Sequence, residues 1–528
     1  MENKKTKIIS IGAVVALALT VITATYAYFN AQVGDPAVAD IKVNANTVDT
    51  FTFSNGSAIS FSINQDNFAS GKGNQTGSTY ASATLTANNK TNTATEHYYM
   101  YLNIENNTFT YSINTNTPEI IMTVKNSVGN EVTDISTLNH VIVTGANGTQ
   151  VSGYDITNKS GLITLFDNRE ITTTSSKEEK WNITITFVNY DENQNANAGK
   201  SMSAKVMIQK EVIPQVVSDV CSNGTNLATC ITTLANKSIP SATNIYHHDS
   251  SLSNGAGDNS YRYAGASDVV NNFVCFGSNE STCPTDNLYR IIGVFGNNVK
   301  LIKYDYGTTD ELGTDGDYYQ TYKEWGMDST YKGTYGDGER IGVYYWNNAT
   351  QTNTWSESLL NKTNLNTNFI NNIGEEWANK IATTTWKVGG NTSTNIVYQS
   401  AKTAYQNEIV NPVTANTTDN ATEYTAKIGL MYVSDYGFAA EPSAWTLTMD
   451  NYNNTTATST NWMYMGLYEW TISRNADNSG NAFNVNSDGN VYYSNVYNNI
   501  AVRPSFSLLS SVTYSKGDGT QNSPIRIN

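Results

Sequence analysis

Four cysteines carry the first chemistry the sequence offers: Cys221 and Cys230, then Cys275 and Cys283. Four cysteines permit three pairings. In an oxidising compartment the two short separations favour Cys221–Cys230 and Cys275–Cys283, each closing a small loop. Four buried thiols are the alternative, and none of the spacings is the Cys-x-x-Cys knuckle of a structural zinc site. His247, His248 and Asp249 stand together in a Ser- and Gly-rich stretch and could form a metal or acid–base site, although such a step is more often solvated. Asn484-Val485-Asn486-Ser487-Asp488-Gly489 starts like a calcium loop, yet its twelfth position is Asn495 where a Glu is needed. Phe483, Val485, Val491 and Tyr493 alternate around Asp488-Gly489, so a hairpin turn is the better reading. Calcium held by loop oxygens stays open, without a full motif. The sequence holds no Gly-x-Ser-x-Gly elbow, phosphate loop or His-Glu-x-x-His. No catalytic residue or metal ligand is assigned, and the chain reads as a non-enzyme.

The elements that position these residues have an unusual composition. Only 15% of residues are charged, against a usual share of about 25%. The 31 basic and 46 acidic residues leave a net charge of −15, which repels phosphate backbones and excludes a nucleic-acid partner. The 39% hydrophobic share includes 34 Tyr, so burial must come from aromatics and alternating strands rather than Leu-rich helices. At 528 residues the chain exceeds the roughly 250–300 residues at which one core stops growing, and two folded units are expected after a leader.

The leader is residues 1–27. Lys4, Lys5 and Lys7 precede an uncharged apolar run from Ile8 to Phe29, long enough to span a bilayer with its positive end in the cytoplasm. A signal peptidase is expected to cut between Ala27 and Tyr28; an uncleaved anchor is the alternative. Thr25-Tyr26-Ala27-Tyr28-Phe29-Asn30 resembles the junction of TasA and camelysin-type proteins, Gram-positive matrix-fibre subunits in which a strand-rich domain follows. The resemblance implies an exported biofilm-matrix or cell-surface protein. It also implies possible self-assembly by donation of an N-terminal strand, here 28–44. A strand closing its own sheet is an equal alternative.

Residues 28–212 read as an antiparallel β-sandwich of jelly-roll type. Trp181, Ile183, Ile185 and Phe187 alternate with Asn182, Thr184 and Thr186, a period of two with one buried face. Met100, Leu102 and Ile104 repeat the pattern, as do Met202, Ala204, Val206 and Ile208. His97 and His140 have no nucleophile or carboxylate cluster nearby in sequence and read as ordinary strand or surface residues. Residues 213–220, with Pro214, form a linker.

Residues 221–528 hold eight of the nine Trp and read as α+β. A hairpin is expected over Asn287 to Ile302, turning at Gly296-Asn297-Asn298. One amphipathic helix is expected to carry Leu365, Phe369, Ile373, Trp377 and Ile381 on one face. The ordered set Lys427 to Phe438, Trp462, Trp470-Thr471-Ile472-Ser473-Arg474, Ala482 to Val485 and Ala501-Val502-Arg503-Pro504-Ser505-Phe506 resembles a Firmicutes surface-protein module. More distantly it is similar to C-type-lectin-like domains, some of which are sulfatase-modifying oxidases needing a late cysteine pair. No cysteine follows Cys283, so that activity is not implied. Glu441-Pro442-Ser443 keeps two residues of the lectin Glu-Pro-Asn signature.

Trp470, Phe483, Val502 and Phe506 are assigned to the core, and Arg503 to an internal bond. Trp445, Trp462, Arg474, Tyr492, Tyr493 and Tyr497 are the candidate ligand-binding residues, since flat rings stack on sugars or anchor protein interfaces. The expected function is binding of an extracellular glycan or protein ligand by the C-terminal module. A purely structural fibre subunit is the alternative, and a secreted glycan hydrolase ranks last.

Overall fold

The computed structural model describes residues 49–64, 72–88, 92–326, 330–390, 398–412, 421–453 and 455–528. The leader, the Ala27–Tyr28 junction and the donor segment 28–44 lie outside the described residues. No helix among the described residues is long and apolar enough to cross a membrane. The chain divides into two compact units, Met1–Val212 and Ile213–Asn528.

Among its described residues unit 1 holds ten strands, all antiparallel: β1 Thr50–Asn55, β2 Ile59–Ser62, β3 Gln75–Thr86, β4 Ala94–Asn107, β5 Ile120–Asn126, β6 His140–Thr144, β7 Gln150–Asp155, β8 Gly161–Thr173, β9 Ser176–Phe187 and β10 Ser201–Gln209. They form a six-stranded sheet, β1-β3-β9-β5-β7-β6, and a four-stranded sheet, β2-β10-β4-β8. The period-two pattern explains the pairing of faces. Trp181, Ile183, Ile185 and Phe187 of β9 share one core with Met100, Leu102 and Ile104 of β4 and Met202, Ala204 and Val206 of β10, while Asn182 stays exposed. The result is sandwich-like, with each buried large side chain contributing about 1.5–3 kcal/mol.

Two polar knots are built into this unit. Trp181 Nε1 donates to Tyr98 Oη at 2.9 Å, which donates to Glu179 at 2.8 Å, and Arg169 closes the set at 3.0 Å. Glu119 is fully buried, with no cation paired to it among the described residues. Its oxygens accept from the Ser112 N–H at 2.6 Å, Gln194 Nε2 at 2.7 Å and Asn197 Nδ2 at 2.8 Å, which ties two loops together. Neutral donors substitute for water around this carboxylate.

Unit 2 is α+β. Its first sheet runs Ile245–His247, Tyr261–Tyr263, Leu288–Phe295, Asn298–Lys303, Ser505–Ser507, Ile428–Gly429, with Phe273–Cys275 also paired to Leu288–Phe295. The second runs Tyr318–Thr321, Gly342–Tyr344, Ile500–Ala501, Glu469–Arg474, Asn481–Val485, Val491–Asn495. Both disulfides, Cys221–Cys230 and Cys275–Cys283, are formed.

Three local expectations change. The hairpin turn is shorter than expected: Asn298 pairs with Phe295, leaving Gly296 and Asn297 as the connection, with Gly296 at φ +59° where glycine carries no Cβ penalty. The single helix is broken. A π-helical run Leu360–Phe369 continues as Ile370–Ile373 and stops at Gly374, φ +82°, before a last turn Glu375–Ala378. The linker is also folded: Val217 is fully buried in the core of unit 2 and the Gln215 N–H donates to the Ala242 carbonyl at 2.8 Å. An apolar residue with a partner surface overrides the local Pro signal.

The two ends of unit 2 meet. The Leu227 N–H donates to the Val512 carbonyl at 3.1 Å, and Asn528 Nδ2 to Asn223 Oδ1 at 2.9 Å.

Candidate functional site

Among the described residues, unit 2 holds a pocket of about 230 Å³ above its first sheet. Strand Tyr261–Tyr263 brings Arg262 to it and strand Asn298–Lys303 brings Lys300. Gly293 allows the close strand contact beneath Arg262, because a Cβ there would sit 2.3 Å from the Tyr261 carbonyl oxygen. The short helices Ala401–Tyr405 and Val433–Ala439 supply Tyr405 and Asp435, and strand Thr384–Lys387 supplies Trp386.

Charge in the pocket is paired internally. Arg262 bonds Asp258 at 2.6 Å and lies 3.6 Å from Asp435 Oδ1, while Lys300 Nζ meets Asp435 Oδ2 at 2.5 Å. Rings pack on both cations. The Arg262 guanidinium lies 4.7 Å from the Phe295 centroid and 5.3 Å from Tyr405; Lys300 Nζ lies 4.6 Å from Tyr432 and 5.4 Å from Trp386. Burial lowers the Lys300 ammonium below its usual value against the pull of Asp435. Burial pushes Asp258 up, but Arg262 and the Ser260 donors outweigh it and hold the carboxyl at about 2. Behind the pocket the buried Glu408 accepts the Val433 and Ser434 N–H groups at 3.1 and 3.0 Å and the Ser473 hydroxyl. Burial raises its carboxyl to about 7.

The six candidate ligand residues do not form one surface. Trp445 and Trp462 are core residues, not contact residues: their indole N–H groups donate to the Ala440 and Tyr263 carbonyls at 2.8 and 2.9 Å. Arg474 is also buried, with Nε donating to the Val388 carbonyl at 2.7 Å. Their loop neighbours fold over them, and a buried indole finds a carbonyl. Only the hairpin tyrosines reach solvent. Tyr492 and Tyr497 are 45% and 43% exposed, and Tyr493 stacks on Tyr492 with centroids 4.6 Å apart.

Other candidates resolve into packing. Trp470, Phe483, Val502 and Phe506 are fully buried, and Arg503 makes a bidentate pair with Glu469 at 2.7 and 2.8 Å. Asp488-Gly489 turns a hairpin between Asn481–Val485 and Val491–Asn495. His248 is buried between Phe438 and Trp445 and accepts the Ala256 N–H at 3.0 Å, whereas His247 bonds Asn259 at 2.8 Å. The two imidazoles therefore do not converge. Among the described residues no group of three or more His, Cys, Asp or Glu is gathered for a metal.

Sequence reasoning missed Arg262, Lys300, Asp258, Tyr405 and Trp386 as site residues. The available signal was a charged residue inside an apolar strand, as at Lys300 between Val299 and Leu301. Neither the models of known protein families nor the curated proteins include a match to this chain.

Proposed function

We propose that this is an exported binding protein whose second unit takes an extracellular glycan or protein side chain in the Arg262–Lys300 pocket. The two disulfides fit an oxidising compartment. The observation that carries the reading is a ring-lined pocket with internally neutralised charge. A charged ligand would have to break a buried ion pair, at a cost of roughly 3–5 kcal/mol. A neutral polar ligand with a flat face meets the rings and finds donors and acceptors in place. A single sugar ring or an amide side chain has that character. Attachment at a surface or in a matrix follows from the leader and its TasA-like junction, with fibre assembly as the alternative role.

A second reading places stacking on the exposed Tyr492 and Tyr497. Both are tested with the intact chain on a glycan and peptide array, followed by calorimetry. Thr385 is exposed at the pocket wall, so Thr385→Trp fills the pocket without touching the core. Binding abolished by Thr385→Trp and kept by Tyr492→Ala is the expected result. The reverse pattern moves the site to the hairpin, and no binding at all leaves the structural role.

A further inference from the structure

Lys300 and Asp435 both line the pocket described above. Both are buried, 6% and 3% exposed, and their side chains touch at 2.5 Å. An ammonium has three protons to donate. Lys303, the neighbouring buried lysine, spends them on Glu311 at 2.9 Å, the Asp286 carbonyl at 2.9 Å and Tyr335 Oη at 3.2 Å. Lys300 has one hydrogen-bond acceptor among the described residues, Asp435; its other close neighbours are the faces of Phe295, Trp386 and Tyr432. Such a lysine is poorly solvated as a cation and is held against a carboxyl oxygen.

The two carboxyl oxygens of Asp435 face different groups. Oδ2 meets Lys300 Nζ and accepts the Tyr432 N–H at 3.0 Å. Oδ1 lies 3.6 Å from the Arg262 guanidinium. We infer that Lys300 Nζ and the Asp435 side-chain carbonyl carbon join in an intramolecular amide cross-link. In the step, the Lys300 ammonium passes one proton to Oδ2, and the freed amine lone pair attacks Cγ. The carbonyl electron pair moves onto Oδ1, where Arg262 stabilises the developing charge as preorganised donors do in acyl transfer. The second amine proton passes to Oδ2, the C–Oδ2 bond breaks, and one water leaves through the pocket. One positive and one negative charge are consumed, one amide N–H remains, and no other reactant is needed. Holding amine and carboxyl in contact supplies the proximity that makes amide formation competitive with hydrolysis in a site of low water content. Burial also disfavours the charged form of the Lys300 amine, which raises the share of nucleophile. The Lys387–Glu423 pair is also in contact, but it is open to solvent and so lacks the burial. The inference is independent of the ligand reading, because an amide leaves the pocket neutral too.

The test is tryptic peptide mapping and intact mass of the full chain after disulfide reduction. A branched peptide joining the Lys300 and Asp435 segments is expected, with no cleavage after Lys300 and one water missing from the combined mass. Lys300→Arg and Asp435→Ala should each restore the linear peptides and the missing water, whereas Lys387→Arg should keep the branch. Linear peptides and full mass in the unsubstituted chain overturn the inference, even if the variants fail to fold. So does a water deficit that survives Lys300→Arg.

Discussion

Glu408→Gln reads the buried electrostatics of unit 2 directly. The substitution keeps the side chain's shape and removes the charge, but its NH2 replaces one of the two oxygens, Oε1 and Oε2, that accept the Val433 and Ser434 N–H groups, a loss of about 1–3 kcal/mol that does not depend on pH. Burial, assisted by Asp435 and opposed by the Ser473 and Ser434 donors, moves the Glu408 carboxyl from its ordinary 4.5 up to about 7. In the unfolded chain Glu408 loses its proton near 4.5; in the native chain it keeps it to about 7. The native state therefore binds the extra proton across this window, and stability contributed by Glu408 falls as pH rises through it. At about 1.4 kcal/mol per pH unit, the ionised carboxylate costs about 3 kcal/mol by pH 8. Gln carries no such cost. The variant should be weaker than the wild type by about 1–3 kcal/mol at pH 4 and should gain about 3 kcal/mol relative to it between pH 4 and pH 8.

His248 adds a term of opposite sign. Burial first, then Arg262, hold its imidazole at about 2 against an ordinary 6.5, so the stability it contributes is present above 6.5 and is lost as pH falls toward 2. The two slopes offset one another between 4.5 and 6.5, and Glu408→Gln should uncover the histidine slope on acidification. Urea titrations followed by tryptophan fluorescence measure this, since eight of the nine Trp lie in unit 2. A wild-type-to-variant difference that stays constant from pH 4 to 8, or one that moves against the variant as pH rises, would refute the reasoning.

Trp462→Ala should cost about 3–5 kcal/mol in the same titration, because the indole is buried and hydrogen-bonded. Tyr492→Ala, at an exposed position, should stay within about 0.5 kcal/mol. In unit 1, Glu119→Gln turns an amide NH2 toward groups that already donate, and should lower stability by about 1–3 kcal/mol. Circular dichroism of the β signal would show it as an earlier thermal transition; an unchanged melting temperature would mean that the loops repack around the amide.

The sandwich was legible because its information is local. Trp181, Ile183, Ile185 and Phe187 declare their buried face within seven residues, and the Asp488-Gly489 hairpin declares its turn in two. The disulfides were legible for the same reason, as near neighbours in sequence. Unit 2 concealed its site because Lys300 and Asp435 are 135 residues apart, and no periodicity links them. Composition misled at the aromatics: Trp462 and Tyr492 look alike as candidates, but only the distant Tyr263 carbonyl that accepts the indole N–H and the Arg290 guanidinium 4.8 Å from its ring mark Trp462 as core. The broken helix is an intermediate case. Its apolar spacing was real, yet Gly374 adopts a positive φ that the spacing alone could not reveal.

The meeting of the first and last segments of unit 2 sets an order of events in a chain that emerges from its N-terminus. Unit 1 has all its strands once Gln209 is out, whereas unit 2 lacks the partners of Asn223 and Thr225 until Tyr514 and Asn528 arrive. Closing contacts of such long range is slow and leaves apolar strands waiting. During that wait each cysteine has its native partner only 9 or 8 positions away. Short loops close first, so both pairs can be sealed before the chain is long enough to shuffle them, and late-arriving strands dock onto a scaffold whose covalent connections are already correct.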